Sequence, residues 1–187
     1  MEIVLLDPDD AEYVEDIANH HYPANYPMSY DDILENLERS DQESFCYGVE
    51  DKGKLVGYLM AWVENSQVEG SKEKVILIDD VVLSAKARHQ IFGLIETMIE
   101  TMESRGLGKL PIEGSARPTT SSTFLDHSEA MERIGYALTS KAEFFEDQFQ
   151  ESLTWLRFEP IIETDSVIDE DDYLEIDFED NVDENSC

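Results

Sequence analysis

Along the first 160 residues the apolar positions switch between a period of two and a period of three to four, and each switch marks an element. Residues 2–6 read as a strand. Residues 9–20 read as an amphipathic helix with Ala11, Val14, Ile17 and Ala18 on one face. A loop carrying Pro23 and Pro27 follows, and Ser29, with Asp32 three residues on, is placed to cap a short helix running to Arg39. That helix turns Ile33, Leu34 and Leu37 inward. Runs at 45–50 and 54–64 flank Asp51-Lys52-Gly53, the strongest hairpin signal in the chain, and are expected to pair antiparallel. The run Val75-Ile76-Leu77-Ile78 into Asp79-Asp80-Val81-Val82-Leu83 is apolar on both faces for half its length, as a central strand is. Ser84 is placed to cap the next helix, whose Ile91, Leu94, Ile95, Met98, Ile99 and Met102 recur at spacings of three and four, and Arg105-Gly106 stops it. A strand over 109–116, a helix from among 119–122 to Gly135, and a hairpin of runs 136–145 and 151–158 complete the body.

After Pro160 the pattern changes. The last stretch, 161–187, holds twelve Asp and Glu and no Lys or Arg. Within it Leu174, Ile176 and Phe178 alternate with Glu175, Asp177 and Glu179, which fits an added edge strand, an acidic-hydrophobic interaction motif or a solvated, disordered tail. The chain therefore divides into a domain over 1–160 and an acidic tail over 161–187. Its 187 residues leave room for one domain and an appendage, not two domains.

Charge narrows the function classes. With 44 Asp and Glu against 13 Lys and Arg the formal charge is -31, which disfavours direct binding of nucleic acid and adsorption to anionic lipid. A basic protein partner held by the acidic tail, mimicry of nucleic acid, or a salt-rich environment stay open. Cys46, in an apolar run, reads as a small buried hydrophobe, and with Cys187 it makes neither a disulfide framework nor a CxxC metal site. No run approaches the roughly 18 apolar residues of a membrane span, and the first residues lack the charge and length of a signal peptide. The expectation is a soluble, cytoplasmic protein.

The order strand, helix, helix, hairpin, central strand, long helix, strand, helix, hairpin describes a mixed α/β domain, a mostly antiparallel central sheet flanked by helices. It resembles the GCN5-related N-acetyltransferase (GNAT) family over roughly residues 1–158. In that family a central strand splays from its neighbour, and the following loop wraps the pyrophosphate of acetyl-CoA with backbone N–H groups at a helix N-terminus, where orphan donors and the helix dipole favour an anion. The family pattern V-x-P-x-x-R-G-x-G-x-G falls on Leu83-Ser84-Ala85-Lys86-Ala87-Arg88-His89-Gln90-Ile91-Phe92-Gly93. Arg88 and Gly93 match; Ala85 replaces the proline, and Ile91 stands at the first important glycine, where a side chain crowds phosphate against backbone. The resemblance implies that Leu83, Arg88, His89, Gln90, Ile91, Phe92, Gly93 and Leu94 hold acetyl-CoA. A later family segment, N-x-x-A-x-x-x-Y-x-x-x-G-F, supplies a tyrosine that protonates the departing thiolate. Aligned on Gly135-Tyr136, it puts Phe124 at the asparagine, His127 at the alanine and Met131 at the tyrosine, and Met has no proton to give.

An ammonium substrate must lose a proton before it attacks a thioester, so a base is needed. Asp79 and Asp80, near the end of the central strand, and Glu113, on the next strand, are the candidates. Adjacent strand residues face opposite ways, so at most one of the Asp pair is expected in a given cleft. Other signals are weaker. Adjacent His20 and His21 point apart, Asp169–172 lack the glycine and third acid of a calcium loop, and Gly106-Leu107-Gly108-Lys109 precedes a strand where a phosphate loop would open a helix, so neither a metal site nor a phosphate loop is expected from them. Two readings follow. One is an acyl-CoA-dependent N-acyltransferase acting on an amine, its acidity suiting a cationic small molecule or protein substrate. The other is a catalytically silent acetyltransferase-like module whose acidic surface or tail binds a basic partner.

Overall fold

The computed structural model describes residues 1–22, 29–39, 43–147 and 150–162. Pro23, Pro27, the acids at 169–172, the alternation at Leu174, Ile176 and Phe178, and Cys187 lie outside the described residues. Lys52 and Gly53 take φ of 56° and 74°, the left-handed pair that a two-residue type I′ hairpin requires. They join β2 (Ser44–Asp51) to β3 (Lys54–Asn65), and Asp51 pairs with Lys54 as the hairpin signal anticipates. Five further strands complete one sheet: β1 (Glu2–Leu5), β4 (Lys74–Leu83), β5 (Ile112–Ala116), β6 (Tyr136–Glu146) and β7 (Glu151–Pro160), in the order β1-β2-β3-β4-β5-β7-β6. Every pairing is antiparallel except that of β4 with β5.

Helices cover both faces. On one lie α1 (Ala11–His21) and α2 (Tyr30–Leu37), whose Ala11, Val14, Ala18, Ile33 and Leu37 pack with Cys46, Tyr58, Met60, Trp62 and Val82. Ser29 caps α2, its hydroxyl accepting from the Asp32 N–H. On the other lies α3 (Ile91–Ser104), whose Ile91, Leu94, Ile95, Met98, Ile99 and Met102 are all buried against β2, β3, β5 and β7. Burial of side chains this size contributes about 1.5–3 kcal/mol each, which makes α3 the main fastener of that face. It ends in a Schellman turn: Gly106 has φ 75°, its N–H bonds the Glu103 carbonyl, and the Leu107 N–H bonds that of Met102.

Three expectations need correction. Ser84 does not cap α3; its N–H bonds Val56, its carbonyl accepts from Ala87, and a 3₁₀ turn over Arg88–Gln90 leads into the helix. The strand expected from residue 109 begins at Ile112, because the Gly106 and Gly108 turns (φ 75° and 69°) and Pro111 occupy the approach. The helix expected up to Gly135 is two, α4 (Pro118–Asp126) and α5 (Ser128–Arg133), broken at His127 with ψ 36°. The first is rich in Ser and Thr, which hold helix weakly, and the break lets Phe124 and Met131 reach one core. No helix among the described residues is long and apolar enough to cross a membrane.

Candidate active site

The central strands set up a cleft. β4 pairs with β5 only at Ile76, Leu77 and Ile78, opposite Ile112, Glu113 and Gly114; beyond Ile78 it continues with β3 alone. The gap is a cavity of about 280 Å³ walled by the end of α1 (His21, Tyr22), by Ile78 through Leu83, by Arg88 and Ile91, and by Ser115, Ala116, Arg117, Thr120, Thr123 and Leu153.

A β-bulge decides what faces it. Ala61 pairs with Ile78 and Met60 with Asp80, so Asp79 is an extra residue with no opposite number on β3. The extra residue breaks the alternation of the strand. Asp79 and Asp80 both line the cleft, which corrects the expectation that at most one of them would.

Their environments differ. Asp79 opens to the cleft, and desolvation by its walls raises the carboxyl above the ordinary value, with Arg39 opposing. Asp80 is 5% exposed. Its Oδ1 accepts from the Tyr22 hydroxyl and its Oδ2 from the Tyr58 hydroxyl. Burial pushes Asp80 up to about 6; the two tyrosine hydrogen bonds favour the carboxylate and oppose that, while Asp79 adds to it. Both phenols are held well above their usual value, by burial first and then by the Asp80 charge. The Arg117 guanidinium lies 4.7 Å from the Tyr22 ring centroid and its Nε is 2.9 Å from Glu151. His21 is pushed down by burial and by its neighbours His20, Arg88 and Arg117, which disfavours its charged form.

Glu113 is elsewhere. It is 0% exposed on β5, its Oε1 accepting from the Ser66 hydroxyl and from Arg157 Nη1, its Oε2 from the Gln67 N–H at 2.9 Å. Arg157 also bonds Glu73 and Glu159, at 2.6 and 2.7 Å. These contacts tie the β3–β4 connection to β5 and β7, and Glu113 is not among the residues that wall the main cavity.

The segment expected to hold an anion divides. Leu83, Arg88 and Ile91 line the cleft, and His89 is exposed at the start of the helix with Gln90 beside it. Phe92 meets the Phe124 ring edge-on at 5.8 Å, Leu94 is in the core, and a Cβ on Gly93 would stand 3.3 Å from Ile3, so this glycine lets α3 approach β1. Ile91 is 4% exposed and sends its side chain to the cleft floor, so the crowding expected at this position falls on the floor and not at the mouth. Among the described residues, neither Lys86 nor Arg88 has a carboxylate partner. Two exposed, unpaired cations at the N-terminal end of a 14-residue helix, in so acidic a protein, fit the phosphates of a nucleotide-bearing ligand. Phe124 and Met131 are buried beneath the cleft and His127 is exposed on the far side of the break.

Comparison with known proteins agrees with this geometry. The sequence profile of the acetyltransferase (GNAT) family matches residues 11–116. The chain belongs to the GNAT family. Among solved structures, Chaetomium thermophilum Naa20 in complex with a bisubstrate analogue superposes with a TM-score of 0.62 at 14% identity, over 86% of this chain and 87% of that one. A GNAT acetyltransferase from Streptococcus pneumoniae gives 0.58 at 13%, over 86% and 99%. An aminoglycoside 6'-N-acetyltransferase complexed with coenzyme A gives 0.57 at 17%, over 87% and 98%. At these identities the likeness is one of fold. No curated protein sequence matches the chain. The GNAT fold accounts for the splayed β4 and β5; Tyr22, Tyr58 and Arg117, in or beside the cleft, carry no local motif and were not legible in the sequence, and His21 stood out there only as the neighbour of His20.

Proposed function

We propose that the chain is an acyl-CoA-dependent N-acyltransferase, an N-acetyltransferase in its simplest form, that acts on a cationic amine by direct attack on the thioester. The observation that carries this reading is Asp80: a buried carboxyl at the β4 bulge, lining the open cleft, with its pKa about 6. A proton acceptor works best with a pKa near the working pH, and burial supplies that shift here. Asp79 beside it, open to the cleft, offers an ammonium group a second carboxyl partner. Lys86, Arg88 and the first N–H groups of the helix would hold the phosphates of acetyl-CoA, which supplies an activated acyl group when bound. Asp80 would take the ammonium proton, freeing the nitrogen lone pair, and His21, its charged form disfavoured, opposes the amine little. The acidic body favours a polyamine, an aminoglycoside or a lysine-rich or N-terminal peptide as acceptor, because steering requires opposite charge.

Isothermal titration with acetyl-CoA tests the reading, with Arg88→Glu as control because Arg88 is exposed and its change leaves the core intact. Micromolar binding that the variant weakens at least about tenfold, followed by acetyl transfer to one of an amine panel, supports it. A flat trace to millimolar ligand sinks it and leaves the silent interaction module, for which pull-down through residues 161–187 is the next step.

A further inference from the structure

Direct acyl transfer has to return a proton to the departing sulfur, since a free thiol has a pKa of about 8.5 and leaves poorly as the bare anion. The wall built by α4 and α5 offers Phe124 and Met131 toward the cleft floor, neither of which carries a dissociable proton. On the opposite wall Tyr22 carries a phenol, lines the cleft and is hydrogen-bonded to Asp80. Tyr58, bonded to the other Asp80 oxygen, is 0% exposed and has no access to the cleft. Ser115, Thr120 and Thr123 also line the cleft, but from the β5–α4 side, across it from Asp80. Arg117 over the Tyr22 ring stabilises negative charge developing on that ring.

We propose that Tyr22 is a further catalytic residue, the group that protonates the leaving sulfur, supplied from the end of α1 and recharged by Asp80. The proposal rests on the transferase reading above. Asp80 takes one proton from the substrate ammonium. The nitrogen lone pair forms the N–C bond, and the C–S bond breaks with its electron pair on sulfur. The Tyr22 hydroxyl proton then passes to sulfur while the proton on Asp80 moves to the Tyr22 oxygen. Thiol departs, Tyr22 and Asp80 are restored, and the second proton shed by nitrogen goes to solvent.

Tyr22→Phe removes one oxygen and keeps the ring under Arg117. The first test needs no turnover. Titrations of CoA and of desulfo-CoA into the wild-type protein at about pH 8.5 should show a preference for the sulfur-bearing ligand of about three- to tenfold, the worth of one hydrogen bond, and Tyr22→Phe should bind both alike. The second compares leaving groups, with spermidine, tobramycin and a short free-N-terminal peptide as acceptors. With acetyl-CoA the variant should lose at least about 100-fold in kcat at unchanged KM, and with the acetyl thioester of 4-nitrothiophenol, whose thiolate leaves without a proton, it should fall less than about threefold. Equal losses with both donors, or a shift of the pH profile alone, would assign Tyr22 to tuning Asp80 and overturn the proposal. CoA binding with no thiol preference in the wild type removes this inference alone. No CoA binding at all removes the transferase reading with it.

Discussion

Asp80→Asn should make the protein more stable while disabling it. In the fold Asp80 is 5% exposed and its carboxyl is raised from 3.8 to about 6, so the native state disfavours the charge. Between those values the native protein binds more protons than the unfolded chain, and stability attributable to this group falls as pH rises. The full effect is reached above the folded pKa and corresponds to ~3 kcal/mol. Asn matches the protonated acid in shape and can still bond both Tyr22 and Tyr58. The variant should therefore equal the wild type near pH 4 and exceed it by about 2–3 kcal/mol at pH 7–8. Urea unfolding of both proteins in parallel from about pH 4 to pH 8 isolates the group, because the self-repulsion of a chain of formal charge -31 is nearly common to the two and cancels in the difference. A difference that is flat across that range, or an Asn variant less stable than the wild type at pH 8, refutes the claim that Asp80 is held above its ordinary pKa. Loss of acetyl transfer in the stabilised variant would show a site maintained against the stability of its own fold.

Arg157→Leu should lower stability by about 3–5 kcal/mol, because it strands the fully buried Glu113 without its cation, and adding Glu113→Leu should recover most of that in urea melts. Glu113→Gln should cost stability while leaving kcat within about threefold of wild type, since Glu113 lies away from the cleft; a folded variant without turnover would return Glu113 to the catalytic candidates. Gly57→Ala would set a Cβ 2.7 Å from the Val82 carbonyl oxygen and 3.0 Å from the Leu83 Cα, both backbone atoms of β4 that cannot swing aside, and should destabilise by about 1–3 kcal/mol in the same melts.

Local pattern was enough wherever one element's own residues carry the information. The hairpin at Lys52-Gly53, the Ser29 cap, the six-residue core stripe of α3 and its stop at Gly106 depend on backbone and side-chain preferences that act within a few residues, and all four stand where the sequence places them. So does the resemblance to the GNAT family, which rests on the order of those elements. The cleft is different. Whether Asp79 and Asp80 face one space depends on a bulge, and a bulge is a property of the register between β3 and β4, which no run of residues in β4 alone records. Tyr22 and Tyr58 meet Asp80 across sequence separations of 58 and 22, and Arg117 meets Tyr22 from another element again. Glu113 looked like a base because it is a carboxylate on the right strand, and only the fold shows it buried against Arg157, 44 residues away. Composition and periodicity thus determined which elements form and which sides they bury, since those depend on local propensity and apolar spacing. The tertiary fold alone decided which carboxyl is desolvated and which is paired, because charge and burial at a point are set by whatever distant segments pack around it.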